Sequence, residues 1–347
     1  MARKKQDIAP PIEAHDPRKT FALVGHKVAL ATAARAIRSG RTPQGWLISG
    51  PPGVGKATFA FRIARYLLAF GATDRGPEDL SVPQNDPAAV QVAAGGHPGL
   101  LLLQRGINPN TGKPMTVLGV DEIRKLHGFF GMTSGAGGWR VAIVDTADDM
   151  NPQAANALLK ALEEPPPRAM LMLLSNAPGQ LLPTIRSRCQ RLDLRPLSDA
   201  EVEKELAARL PDMPAGDRAM LVKVSGGSIG VALTLAEDDG LALAQDAERL
   251  VDRSASPDIG ATLALADKLS RVGDGTDRFG TFLIEALTNR IHARALEGGA
   301  AGLDRWTDLL EKLKRSFLRT GALHLDGRQT ILSAGKAIAD TAQRARL

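Results

Sequence analysis

Gly50-Pro51-Pro52-Gly53-Val54-Gly55-Lys56-Ala57 is the stretch that decides the fold. Gly50, Gly55 and Lys56 keep the Gly-x-x-x-x-Gly-Lys spacing of a phosphate-binding loop, with Gly53 inside it. Before it, Trp46-Leu47-Ile48-Ser49 reads as a short apolar strand. After it, Lys56 to Phe70 carries Phe59, Ile63, Tyr66, Leu67 and Phe70 at helical spacing. Strand, loop and helix in that order are the context the motif needs, because loop amides and a helix N-terminus together form an anion cradle. The next position normally holds Ser or Thr, whose hydroxyl ligates the Mg²⁺ bridging the β- and γ-phosphates. Here it holds Ala57, whose methyl group coordinates nothing. Thr58 is turned about 100° further round the helix and faces elsewhere.

Outward from the loop the pattern is that of an α/β domain. Upstream, Lys27 to Ile37 reads as an Ala-rich helix ended by Ser39-Gly40. Downstream, Gly99–Leu103, Arg140–Asp145 and Ala169–Leu174 read as buried strands. Asp121–Phe130 and a helix opened by Asn151-Pro152 and stopped by Pro165-Pro166-Pro167 lie between them. Apolar strands alternating with helices predict a parallel sheet flanked by helices. Residues 71–97 are rich in Gly, Pro, Asp and Asn and read as an insertion or long loop. After Pro196 no further strand is expected. Ser198 and Glu201 form a capping box for a helix to about Leu210. Helices follow at roughly 214–224 and 228–237, and then from 240 to 343 with breaks near Ser256-Pro257, Gly273–Gly275, Gly298-Gly299 and Gly321. The expected division is a flexible polar tail at 1–19, an α/β domain at 20–196, a small helical domain at 197–238 and a larger helical domain at 239–347.

The chain has 347 residues, 44% hydrophobic and 24% charged, as a globular protein of two or three domains does. No apolar run is long enough to span a membrane, and the polar N-terminus has no secretory h-region. The single cysteine, Cys189, permits no internal disulfide, so a cytosolic protein is expected. The net charge of +6 fits a protein that works near nucleic acid and equally fits one that never touches it.

Three further stretches bear on chemistry. Val141-Ala142-Ile143-Val144-Asp145 is an apolar strand ending in an acid, the Walker B pattern in which Asp145 holds Mg²⁺; its plainer reading is a turn cap. Hydrolysing enzymes of this type place Glu next, but here the residue is Thr146, whose hydroxyl is far too weak a base. Ser175 or Asn176, at the end of Leu173-Leu174-Ser175-Asn176, is suited to orient a phosphate or simply to close a strand-end turn. The basic run Arg186-Ser187-Arg188-Cys189-Gln190-Arg191 closes the α/β domain. It is either a solvated face or the source of an arginine that enters a neighbouring subunit's nucleotide site.

These motifs, in this order, resemble the AAA+ family and, within it, the bacterial clamp-loader group. The resemblance is carried by Leu23-Val24-Gly25-His26, by Leu158-Leu159-Lys160-Ala161-Leu162-Glu163-Glu164-Pro165-Pro166 and by Ser187-Arg188-Cys189, over roughly residues 20–237. It implies an AAA+ P-loop α/β domain, a small helical lid and an all-α C-terminal collar. It also implies a role in arcs that open a ring-shaped sliding clamp and close it around primed DNA in a bacterial cytoplasm. The partners implied are gamma/tau motor subunits, the delta subunit, the clamp as substrate and primed DNA through the assembly, with no membrane. Within that group the chain is similar to stator subunits that do not hydrolyse ATP. Arg188 then completes a neighbour's site in trans, and Gly50, Gly53, Gly55, Lys56 and Asp145 form a degenerate nucleotide site marked by Ala57 and Thr146. The turn Ser225-Gly226-Gly227-Ser228-Ile229-Gly230 falls in the sensor 2 region without the family's arginine. No cofactor is required on this reading, although passive ATP or ADP binding stays open. Members with a four-cysteine zinc module carry it where residues 71–97 have no cysteine, so no metal is expected. The alternative is an active motor subunit of the same machine, which must account for Ala57, Thr146 and the absent sensor arginine together.

Overall fold

The computed structural model describes residues 16–106, 115, 117–131, 138–237, 240–296, 302–323 and 325–345. They form two compact units, one of residues 1–205 with 227–231 and one of 206–226 with 232–347. The stretch expected as a separate lid is therefore shared between the two.

The first unit begins with α1 (Lys27–Arg38), β1 (Gly45–Ser49), α2 (Lys56–Phe70), α3 (Pro87–Ala93), β2 (Leu100–Gln104) and α4 (Val120–Gly131). It continues with β3 (Arg140–Asp145), α5 (Pro152–Glu163), β4 (Ala169–Ser175), α6 (Pro183–Arg188), β5 (Gln190–Asp193) and α7 (Asp199–Arg209, its residues from Leu206 on belonging to the second unit). The five strands are all parallel, in the order β2-β3-β4-β1-β5. The expected parallel α/β architecture is what the chain adopts.

Side chains alternate across the sheet, as strand geometry dictates. Trp46, Ile48, Val141, Ile143, Met170 and Met172 pack on one face with α1 and α2. Leu47, Ala142, Val144, Leu171 and Leu173 pack on the other with α4, α5 and α6. Both faces are covered, which is why β3 and β4 read as continuous apolar runs. Asn151 caps α5 through a bond from the Ala154 N–H at 2.8 Å, and Pro152 sits at its first position, as expected. The Ser198–Glu201 capping box also forms, with the Glu201 N–H donating to Ser198 Oγ at 3.4 Å and the Ser198 N–H to Glu201 Oε2 at 3.0 Å.

Several expectations need correction. Residues 71–97 contain α3, started by Asp86, whose side chain accepts from the Ala88 and Ala89 N–H groups. A fifth strand, β5, was not expected, because Leu192 is its one buried side chain. The described end of the N-terminal stretch is tied down: Arg65 on α2 donates to Arg18 O and Thr20 O at 3.0 and 2.8 Å. The rest of the expected tail lies outside the described residues.

The second unit contains α8 (Ala215–Val224), α9 (Ile229–Glu237, its first turn belonging to the first unit), α10 (Gly240–Asp252) and α11 (Ile259–Leu269). They are followed by α12 (Gly275–Leu296), α13 (Leu303–Leu323) and α14 (Gly327–Ala345). Phe279, Leu283, Trp306, Phe317, Ile331 and Ile338 are among its buried residues. Gly321 does not break the chain but lies inside α13, where a Cβ would sit 3.0 Å from an Asp277 carboxylate oxygen on α12. The break expected at Gly298-Gly299 lies outside the described residues. No described helix is long and apolar enough to cross a membrane.

Candidate functional site

The strand register brings the chemistry-bearing residues to one edge of the sheet. Ser49 pairs with Ser175 on one side and Asp193 on the other, so the loop leaves β1 where β4 and β5 also end. Asp145 closes β3 at the same edge. The carboxyl ends of parallel strands are where α/β sheets bind ligands.

The glycine loop is held by its own carbonyls. The Lys56 ammonium donates to Gly50 O at 2.8 Å, Pro51 O at 2.7 Å and Asn176 Oδ1 at 2.6 Å. Ser228 Oγ donates to Pro52 O at 2.9 Å, and the Gly230 N–H to Gly53 O at 3.0 Å. His26 Nε2 lies 2.9 Å from Val54 O. Every carbonyl from Gly50 to Val54 thus has a partner. Gly53 is needed because its φ is +68° and a Cβ would sit 2.5 Å from Ser228 Oγ.

Lys56 is 6% exposed, and all three of its protons are engaged by protein acceptors. Burial pushes its pKa down from 10.5 to about 8, against the upward pull of the Asp145 and Asp148 carboxylates. The Asp145 carboxyl is pushed up, chiefly by burial, with Asp149 adding to the rise and Lys56 and Arg105 opposing it.

Asp148 and Asp149 follow Asp145 in a short 3-10 turn. Asp148 accepts from Ser175 Oγ at 2.6 Å and from the Asn176 N–H. Asp149 accepts from Thr146 Oγ1 at 2.9 Å and pairs with Arg105 at 3.1 Å. Asn176 therefore bridges Asp148 and Lys56, one through its N–H and the other through its side-chain oxygen. The Thr146 hydroxyl is spent on Asp149. Ala57, at the start of α2, packs against the apolar core. This donor set does not fit Mg²⁺-nucleotide: the hydroxyl ligand is absent and the lysine is already engaged.

The organising role of Asp148, and the partners of His26 and Ser228, come from the tertiary structure and not from the sequence. Consecutive acids beyond a strand end carry no sequence signal of which one turns back.

Arg188 is elsewhere. It precedes β5, whose Gln190 pairs with Trp46 near the start of β1, whereas the loop follows Ser49 at its end. Roughly 15 Å of strand separates the two edges. Its side chain is 38% exposed and pairs with Glu163 at 2.8 Å. The structure brings Gly50, Gly53, Gly55, Lys56 and Asp145 together and leaves Arg188 at the opposite edge of the same sheet.

The family model described as "DNA polymerase III, delta subunit" matches residues 25–198, half of the chain. DNA polymerase III subunit delta' of Pseudomonas aeruginosa is 39% identical over 184 residues, covering 53% of this chain and 52% of the relative. The Escherichia coli subunit delta' is 31% identical over 204 residues, covering 59% and 58%. A gamma/tau subunit of Mycobacterium bovis is 25% identical over 92% of this chain and 57% of its own length. The chain thus spans little more than half the length of these relatives. A solved gamma subunit-related protein of Thermotoga maritima aligns over 90% of this chain and 99% of its own, at 18% identity and a TM-score of 0.43. The chain belongs to the DNA polymerase III delta-subunit family, and its relatives within it are of the delta-prime type.

Proposed function

We propose that this chain is a non-hydrolysing stator subunit of a bacterial clamp loader. It contributes Arg188 to the ATP site of a neighbouring gamma/tau-type motor subunit. The other partners on this reading are the delta subunit, the sliding clamp as substrate, and primed DNA through the assembled loader in the cytoplasm. No cofactor is required by the chain itself, and nucleotide enters its own loop only if Lys56 gives up its protein acceptors.

The observation that carries the reading is the placement of Arg188. A guanidinium at the edge of the sheet opposite its own loop cannot reach phosphate in that loop, yet it is half exposed on a firmly packed helix. An arginine supplied to a neighbour's site stabilises charge on the transferring phosphoryl group. The engaged Lys56, the missing hydroxyl at Ala57 and the engaged Thr146 support the non-hydrolysing half.

The test compares the chain alone with the reconstituted loader. Alone, it should release phosphate from ATP no faster than background. In the loader, it should raise turnover by the motor subunits, and Arg188→Lys should not substitute, because a point charge lacks the planar fork. Turnover by the isolated chain that is abolished in Lys56→Ala overturns the reading.

A further inference from the structure

Arg188 combines a fixed backbone with a partly exposed head. Ile185 is fully buried, and Cys189 nearly so. At the start of β1, Gly45 lets two segments approach closely: a Cβ there would lie 2.8 Å from Leu162 Cδ2 and 3.4 Å from Arg188 O. Leu162 adjoins Glu163, the last residue of α5. The Leu162 side chain, next to Glu163, and the Arg188 backbone thus pack on the same glycine, and Pro165 and Pro166 follow directly after Glu164.

The Glu163 and Arg188 side chains meet. Arg188 Nη2 lies 2.8 Å from Glu163 Oε1, and Arg188 Nη1 donates to Thr184 O at 3.1 Å. A guanidinium has five N–H donors in a rigid fork. The remaining donors of Arg188, Nε among them, have no partner among the described residues.

We propose that Glu163 is a positioning residue for Arg188: its carboxylate fixes the rotamer of a long, flexible side chain so that the free donors are presented to an anionic oxygen of a neighbouring subunit's nucleotide. This rests on the reading of Arg188 as a residue that acts in trans. An arginine offers many rotamers, and only those that reach the neighbour are productive. Holding one of them in advance removes an ordering cost from the reaction. Both side chains are partly exposed, so the gain is that of an exposed ion pair.

The experiment is ATP turnover in the reconstituted loader with wild-type, Glu163→Gln, Glu163→Asp, Arg188→Ala and the Glu163→Gln/Arg188→Ala double variant. Thermal unfolding of each chain serves as the folding control. Glu163→Gln keeps the shape and removes the charge. It should lower kcat about two- to five-fold, the equivalent of one exposed ion pair, and leave KM for ATP unchanged. Glu163→Asp should recover part of the loss. In the Arg188→Ala background, Glu163→Gln should change nothing further, since the two act as one unit. An unchanged or raised kcat in Glu163→Gln, with Arg188→Ala still impaired, overturns the positioning role and leaves the trans arginine standing. So does an equal Glu163→Gln loss in the Arg188→Ala background. Normal turnover in Arg188→Ala removes both.

Discussion

The Lys56 ammonium donates to the Asn176 side-chain oxygen at 2.6 Å, joining the glycine loop to the end of β4. In a working nucleotide site this lysine reaches for phosphate. Here Asn176, Gly50 O and Pro51 O take its three protons, and burial holds its pKa near 8. An NMR titration of the lysine side chains should show one resonance with a midpoint about two units below the others, absent from Lys56→Met. Below pH 8 both states hold the proton and the burial penalty is fully present. Between about 8 and 10.5 only the unfolded chain holds it, so the Lys56 contribution to unfolding free energy rises with pH. Chemical denaturation of wild type, compared with Lys56→Met, should show that difference in slope within the window.

Restoring one part should not restore the engine. Ala57→Thr returns a hydroxyl at the metal-ligand position, but Thr146 is not a base and the 225–230 turn has no arginine. Phosphate release by the isolated Ala57→Thr chain should stay at background, and so should that of Ala57→Thr/Thr146→Glu. Turnover in either variant would mean that Lys56 and the loop form a competent site needing only the substituted group.

Gly53 and the turn at 227–231 are locked together. Gly53→Ala adds a Cβ 2.5 Å from Ser228 Oγ and 2.7 Å from Val231 N, at a φ of +68°. Left-handed strain alone costs roughly 1–2 kcal/mol, and backbone must move as well. Urea melts should show Gly53→Ala destabilised by at least about 2 kcal/mol. Ser228→Ala, which removes one hydrogen bond, should lose about 1 kcal/mol.

Arg65 anchors the start of the described chain. It is 1% exposed, donates to two backbone carbonyls and lies 4.3 Å above the Phe21 ring. Arg65→Ala removes these bonds and a buried stem together. It should cost about 2–3 kcal/mol in denaturant melts and make residues 16–21 an early site of limited proteolysis.

Much of this was legible in the sequence because local and global signals agree. The order of Trp46–Ser49, the loop and the Phe59–Phe70 stripe forces a strand–loop–helix unit, and the apolar runs ending at Asp145 and Ser175 demand a parallel sheet. What was hidden depends on tertiary placement. β5 is an edge strand with one inward residue, Leu192, so its Gln190-Arg191-Leu192-Asp193 shows no strand pattern. The Asp86-Pro87 start of α3 is a good helix signal set in loop-like composition. Gly321 reads as a breaker but marks where α13 passes close to Asp277. Nothing in the sequence indicates that Asp148 turns back to Ser175, or that Glu163 meets Arg188.

Arg188 carries the proposed role in trans, and single-turnover ATP hydrolysis at the adjacent motor site of a reconstituted loader tests it. With Arg188→Ala the rate there should fall by as much as on the order of 10³-fold, while assembly and the melting temperature of this chain stay unchanged. Hydrolysis at the wild-type rate in a fully assembled Arg188→Ala loader would contradict the account.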